Sequence, residues 1–237
     1  MWPISVICGL IGWIVTAAPS QPAQAQSSIQ VDLQLVLAVD ASGSVSMERF
    51  ELQKQGYAAA FRNPRVLRAI RSGSTGSIAV TMFQWTGPAL QVPVVPWTLV
   101  RDEASAEALA VLIEKTSRQL FSGGTSISGA IDFGVTLMPS SPYRGIKRVI
   151  DVSGDGSNNR GRRADDARDD AVRAGITVNG LPILAIEPLL DRYYFEHVIG
   201  GPGAFMIPAQ SYDAFAEAVI KKLIMEIASA PPSAVTE

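Results

Sequence analysis

Three short segments of this chain carry side chains able to hold a hard cation. Asp40-Ala41-Ser42-Gly43-Ser44 places one carboxylate and two hydroxyls at alternate positions, Thr125 follows Gly123-Gly124, and Asp155 stands between Gly154 and Gly156. All five donors are short and offer oxygen, the ligand type that Mg²⁺ and Ca²⁺ take. Asn158 and Asn159 follow Asp155 closely enough to hydrogen-bond behind such a site or to terminate its turn. Trp85 ends an apolar run whose tip can reach the rim of the same site, with packing inside a hairpin as the simpler role. Other chemistries find less support. The single histidine, His197, has no partner for a metal pair, and no G-x-S-x-G elbow is present.

The elements around these segments explain why they converge. Ile29–Val39 begins with alternating apolar and polar residues and ends in a wholly apolar run, the pattern of a strand covered on both faces. Asp40 ends it, and Ser46 is the expected N-cap of a helix over Glu48–Arg62. Further strands are expected at Ser77–Trp85, Ala89–Val95, Ile146–Val152, Ile176–Ile186 and Ala204–Ile207. Pro93 and Pro96 confine the second of these to a sheet edge. Helices are expected over Arg101–Gln119 with Leu109, Leu112 and Ile113 inward, after Ser126, over Arg162–Ala174, over Asp191–Ile199 and over Tyr212–Ala228. Strands alternating with helices give a doubly wound α/β fold, with a mostly parallel sheet, helices on both faces and one antiparallel edge strand. Ligands of such sheets bind beyond the carboxyl ends of the strands, where Asp40 and Asp155 both fall.

The chain has 237 residues, a formal net charge of −2 and a pI near 5.5, so it lacks the basic footprint of a nucleic-acid binder. Met1–Ala25 has no charged side chain; it contains the apolar run Ile4–Val15 and ends in Ala23-Gln24-Ala25, the small-x-small pattern of a signal-peptidase site. The expected organisation is a signal peptide at 1–25, one domain over 26–228 and a polar tail over 229–237. An exported protein follows, periplasmic or secreted. An uncleaved membrane anchor is the competing reading, and only that reading brings membrane contact. Cleavage would remove the only cysteine, Cys8, and with it any thiolate metal site, disulfide or cysteine nucleophile.

Together the D-x-S-x-S turn, the Gly-Gly-Thr turn before a helix and the Gly-Asp-Gly turn after a strand resemble the von Willebrand factor A (VWA) domain and its metal-ion-dependent adhesion site. The resemblance runs from Val31 to about Ala228. The stretches Ser153-Gly154-Asp155-Gly156-Ser157-Asn158-Asn159 and Val198–Phe205 are similar to a bacterial group of exported VWA-like proteins of unknown function. The resemblance implies that Ser42 and Ser44 ligate a divalent cation directly, Thr125 directly or through water, and Asp40 and Asp155 mostly through water. Mg²⁺ is the expected ion, with Mn²⁺ and Ca²⁺ as alternatives. One departure stands out: the family commonly has Thr-Asp-Gly where this chain has Gly154-Asp155-Gly156.

Neutral hydroxyls next to the ion, with carboxylates one water away, leave it under-neutralised and receptive to a partner's carboxylate. The expected function is therefore a metal-dependent binding module for a protein or peptide that presents an acidic residue, and not an enzyme. A secreted hydrolase using the cation as a Lewis acid is the alternative. Against it, aspartyl-phosphate chemistry wants Asp-x-Asp, and Ser42 holds the second position. A site that only stabilises the fold is the third reading. Asp165, Asp166, Asp169 and Asp170 resemble a calcium cluster, but arginines interleave them at helical spacing, as on a salt-bridged surface. Asp151, between Ile150 and Val152, is expected to be paired or partly exposed.

Overall fold

The computed structural model describes Met1 and residues 28–228, so the expected leader and tail lie outside the described residues. Five strands form one sheet in the order β3-β2-β1-β4-β5. These are β1 (Ile29–Asp40), β2 (Ile78–Trp85), β3 (Gln91–Val100), β4 (Tyr143–Gly154) and β5 (Thr177–Pro182). β1 pairs in parallel with β2 and β4, β4 in parallel with β5, and β3 runs antiparallel to β2 at the margin. The expected fold class holds. Among the described residues no helix is long and apolar enough to cross a membrane.

Alternation along β1 builds the two cores. Leu33, Leu35, Leu37 and Val39 pack into a layer with α1 (Met47–Arg62), α2 (Pro64–Arg71), α3 (Glu103–Glu114) and α7 (Phe215–Ala228). Val36 and Ala38 pack on the other side with α4 (Ile127–Ser140), α5 (Ala164–Arg173) and the segment made of α6 (Leu190–Tyr193) and a π turn at Tyr194–Val198. Since both faces are covered, ten consecutive residues, Val31–Asp40, are buried.

Local chemistry sets the first two helices. Ser46 Oγ accepts from the N–H of Arg49 at 3.2 Å and starts α1. Asn63 ends it in an extended conformation and caps α2 at once, its Oδ1 accepting from Arg65 N at 2.9 Å, with Pro64 in the first turn, where no N–H is needed. The Gly/Ser/Thr connector after α2 also has a structural task. Ser74 Oγ, Thr75 N and Thr75 Oγ1 all donate to buried Asp32 within 2.9 Å. Burial works against the ionised form of Asp32, but these bonds hold its carboxyl below the ordinary range.

Four expectations need correction. α3 ends at Glu114 rather than Gln119, and Leu112 is 38% exposed. Beyond it the chain is irregular because buried Gln84 takes over its backbone: Gln84 Nε2 donates to Ser117 O and Oε1 accepts from Gln119 N, both at 2.7 Å. Residues 204–207 form no strand of the sheet; Gly180 bridges Met206 and Ile183 bridges Ala209 as isolated pairs. The strand expected to run to Ile186 stops at Pro182.

Candidate metal centre

The topology sets β1 and β4 side by side and in parallel, so Asp40 and Asp155 emerge at the same end of the sheet. β2 holds the loops beyond it. Trp85 O accepts from Ala41 N at 2.9 Å, and Thr86 O accepts from Ser126 N at 2.7 Å, so one strand end anchors both the D-x-S-x-S turn and the Thr125 turn. Two side chains fix the first turn further. Gln53 Nε2 donates to Asp40 O at 3.1 Å, and Arg118 Nη2 donates to Ala41 O and Ser42 O at 3.0 and 2.9 Å. The sequence pointed to the end of β2 through Trp85 but not to Gln53 or Arg118, which reach the turn from 13 and from 76 to 77 positions away.

The five candidate residues form a partly connected set. Ser42 N donates to Asp40 Oδ1 at 2.7 Å, Ser42 Oγ and Ser44 Oγ share a bond of 3.1 Å, and Ser44 Oγ donates to Asp155 Oδ1 at 2.5 Å. Asp155 N lies 3.4 Å from Asp40 Oδ2, which closes the ring between the two carboxylates. Thr125 stands across a cleft of about 490 Å³ lined by Gly43, Ser44, Thr125, Asp155, Ile186 and Glu187. Gly124 reaches it through a φ of +82°, a left-handed conformation that an L side chain resists.

Asn158 and Asn159 tie the Asp155 turn to the Thr125 turn. Asn159 Oδ1 accepts from Thr125 N at 3.0 Å and Asn159 N donates to Thr125 O at 2.9 Å, while Asn158 Oδ1 accepts from Ser128 N at 3.0 Å. Trp85 is no rim residue: it is fully buried in the layer under α4 and α5. Its ring also accounts for Gly154. A Cβ there would sit 3.2 Å from Trp85 Cζ2, 3.1 Å from the Tyr194 hydroxyl and 3.0 Å from Asp40 Oδ2, so this chain has no room for the family's threonine. Ile186 and Phe121 are the exposed hydrophobic residues near the turn, at 49% and 58%; Phe121 O is the atom nearest a Cβ at Gly43.

The electrostatics fit a cation. Asp40 and Asp155 are 0% and 1% exposed, and burial followed by the charge of Asp155 pushes the Asp40 carboxyl up to about 7. Arg49 Nη1 comes within 3.9 Å of Asp155 Oδ2, which leaves the pair only partly neutralised. Two buried carboxylates behind three hydroxyls suit a small divalent ion better than a thiophilic one. The decoys resolve elsewhere. Arg162, Arg163, Arg168 and Arg173 pair with Asp132, Asp165, Asp169 and Asp170 on the surface. His197 lies 3.8 Å from Asp165 and 3.7 Å from Glu196. Asp151 is buried and paired with Lys222 at 2.8 Å.

Solved structures share this architecture. Proximal thread matrix protein 1 from the mussel byssus, in a form with a zinc-occupied MIDAS motif, is 13% identical at a TM-score of 0.55, over 85% of this chain and 49% of that one. The pilus adhesin SpaC from Lactobacillus rhamnosus GG, in its open conformation, is 16% identical at 0.57, over 84% of this chain and 30% of the adhesin. A von Willebrand factor type A protein from Catenulispora acidiphila is 16% identical at 0.52, over 84% and 42%. The chain thus spans less than a third of the adhesin and about half of the byssus protein. At such identities the likeness shows the fold, which is of the VWA type. No curated protein matches the sequence. A family model described as protein of unknown function (DUF1194) matches residues 30–231, and the chain belongs to that family.

Proposed function

We propose that this protein is a metal-dependent binding module of the VWA type, which docks a carboxylate of a partner protein or peptide on a divalent cation, Mg²⁺ foremost. One observation carries the reading: two buried carboxylates, Asp40 and Asp155, lie beside the hydroxyls of Ser42 and Ser44, and Ser44 and Asp155 line a cleft. Ser42, Ser44 and Thr125 would hold the ion, with Asp40 and Asp155 behind them and Asn158 and Asn159 bracing the loops. A bound cation would supply an open coordination position for the incoming carboxylate. The residues themselves keep the loops in register and carry the balancing negative charge in the second layer. We read the site as binding rather than catalytic, because His197 sits against Asp165 and Glu196 and does not line the cleft. The uncharged apolar leader supports an exported location, and likeness to a pilus adhesin fits an envelope or extracellular role. Mass spectrometry of protein from the native host is expected to find a mature N-terminus near Gln26; intact Met1 on a membrane-bound form would refute cleavage.

Thermal melts in EDTA and across a Mg²⁺ or Mn²⁺ titration test the site. A cation bound only by the native state stabilises it by about 2.7 kcal/mol at roughly a hundredfold excess over Kd. Asp40→Ala and Ser42→Ala are expected to abolish that increment, and Asp169→Ala to keep it. A wild type without any increment at millimolar cation, or an Asp40→Ala variant with all of it, would end the metal reading. Once a partner is found, its acidic residues can be changed one by one to amides; no loss of affinity at any of them would end the docking reading.

A further inference from the structure

Asp155 is held by more than the serine next to it. Its side chain is fully buried, and both oxygens already accept hydrogen bonds: Oδ1 from Ser44 Oγ at 2.5 Å and Oδ2 from the Tyr212 hydroxyl at 2.8 Å. Tyr212 lies just before α7, 57 positions along the chain from Asp155, and is itself 6% exposed. Arg49 completes the arrangement. Its Nη1 donates to Ser44 O at 2.9 Å and sits 3.9 Å from Asp155 Oδ2, while its guanidinium lies 5.2 Å from the centre of the Tyr212 ring. One arginine on the first turn of α1 therefore touches the D-x-S-x-S turn, the Asp155 carboxylate and the phenol that binds it. Burial and the charge of Asp155 push the Tyr212 phenol up, so it stays a donor.

We infer that Tyr212 and Arg49 are positioning residues of the cation site, which hold Asp155 back from direct ligation and thereby keep the ion receptive to a partner's carboxylate. This rests on the metal reading above. A carboxylate that shares its charge with a phenol O–H and a guanidinium is a poorer direct ligand than a free one. Its retreat leaves the ion's neighbours as neutral hydroxyls. Removing the phenol O–H, with ring and volume kept, frees Oδ2 to move onto the ion, and the cation should then bind more tightly while losing a water.

The experiment uses full-length wild type, Tyr212→Phe and Arg49→Gln, with Mn²⁺ as the probe. Affinity is read by calorimetry, and the number of exchangeable waters on Mn²⁺ by water-proton relaxation. Tyr212→Phe is expected to bind Mn²⁺ about three- to tenfold tighter, the size of one net hydrogen bond, with one water fewer. Arg49→Gln should shift both in the same direction by less, because Arg49 stands 3.9 Å from Asp155 Oδ2 and the Tyr212 hydroxyl 2.8 Å. Acetate, as a free carboxylate, should displace water from Mn²⁺ on wild type at lower concentration than on Tyr212→Phe. Unchanged or weaker Mn²⁺ binding in both variants, or an unchanged water count, would overturn the inference and leave the metal site standing. Wild type that takes up no Mn²⁺ would overturn both.

Discussion

Asp40 ends β1 and Asp155 follows the end of β4; four residues further back on β4, Asp151 meets Glu226 of α7 across Lys222. Both pairs are buried to within 1%. The lower pair encloses Lys222, whose Nζ lies 2.8 Å from Asp151 Oδ1 and 2.5 Å from Glu226 Oε1, with Asn179 Nδ2 donating to the same Glu226 oxygen at 3.0 Å. Burial pulls the Lys222 ammonium down, but the two carboxylates outweigh it and hold it above its ordinary range. The upper pair receives hydroxyls instead of an ammonium. Buried negative charge is tolerated when a counter-charge accompanies it. In one place a helix brings that charge into contact; in the other Arg49 stands 3.9 Å away, and the nearer partners are hydroxyls and backbone N–H groups. The difference separates a closed ion network from a carboxylate pair that its own chain neutralises only in part.

The largest expected effect breaks the lower pair. Lys222→Met removes the ammonium that both buried carboxylates contact and should lower stability by about 3–5 kcal/mol in urea unfolding. Adding Asp151→Asn and Glu226→Gln to it should recover most of the loss. A single substitution that costs nothing would remove the contrast.

The upper pair should show itself through pH. The folded-state value of Asp40, about 7, lies above the ordinary 3.8, so its contribution to stability is full below about pH 4 and is lost as pH rises through 7. A shift of this size is of the order of 4 kcal/mol. Urea midpoints in EDTA should therefore fall from pH 5 to pH 8. Burial raises Asp151 as well, despite the pull of Lys222, so the decisive quantity is the difference between wild type and Asp40→Asn. Asp40→Asn, or saturating Mg²⁺ on wild type, should flatten the fall; an equal slope in all three would contradict the assignment.

Gly154→Ala sharpens the comparison at smaller scale. Its Cβ would press on Asp40 Oδ2, the Tyr194 hydroxyl and Trp85 at 3.0–3.2 Å, and overpacking of this kind costs about 1–3 kcal/mol. The thermal midpoint should drop, and the metal-dependent increment should shrink with it. Smallest of all is Asp165→Asn. Its partner Arg163 is 69% exposed, so the midpoint and the metal increment should both stay where they are.

Much of this arrangement was legible in the sequence, for identifiable reasons. The apolar run before Asp40, the Asn63-Pro64 break and the prolines of β3 are local signals, and each corresponds to an element found. The convergence of Asp40, Ser42, Ser44 and Asp155 followed from strands that end at one edge. What stayed hidden depends on contacts without periodicity. Tyr212 reaches Asp155 from 57 residues away and Arg118 reaches Ser42 from 76, and neither spacing leaves a mark on composition. Trp85 and Leu112 went the other way: an aromatic at a strand tip turned inward, and a leucine at helical spacing turned outward. The end of α3 was missed because a buried glutamine, not a helix breaker, captures the chain beyond it.

The marginal strand β3 limits how this protein can assemble. Pro93 and Pro96 remove two N–H donors from this edge strand, and β2 and β3 lose register between Val80 and Phe83. A strand from another molecule would find an incomplete ladder there, so strand addition, in register and copy after copy, is blocked on that flank. The same two prolines make this flank a poor template for fibre growth.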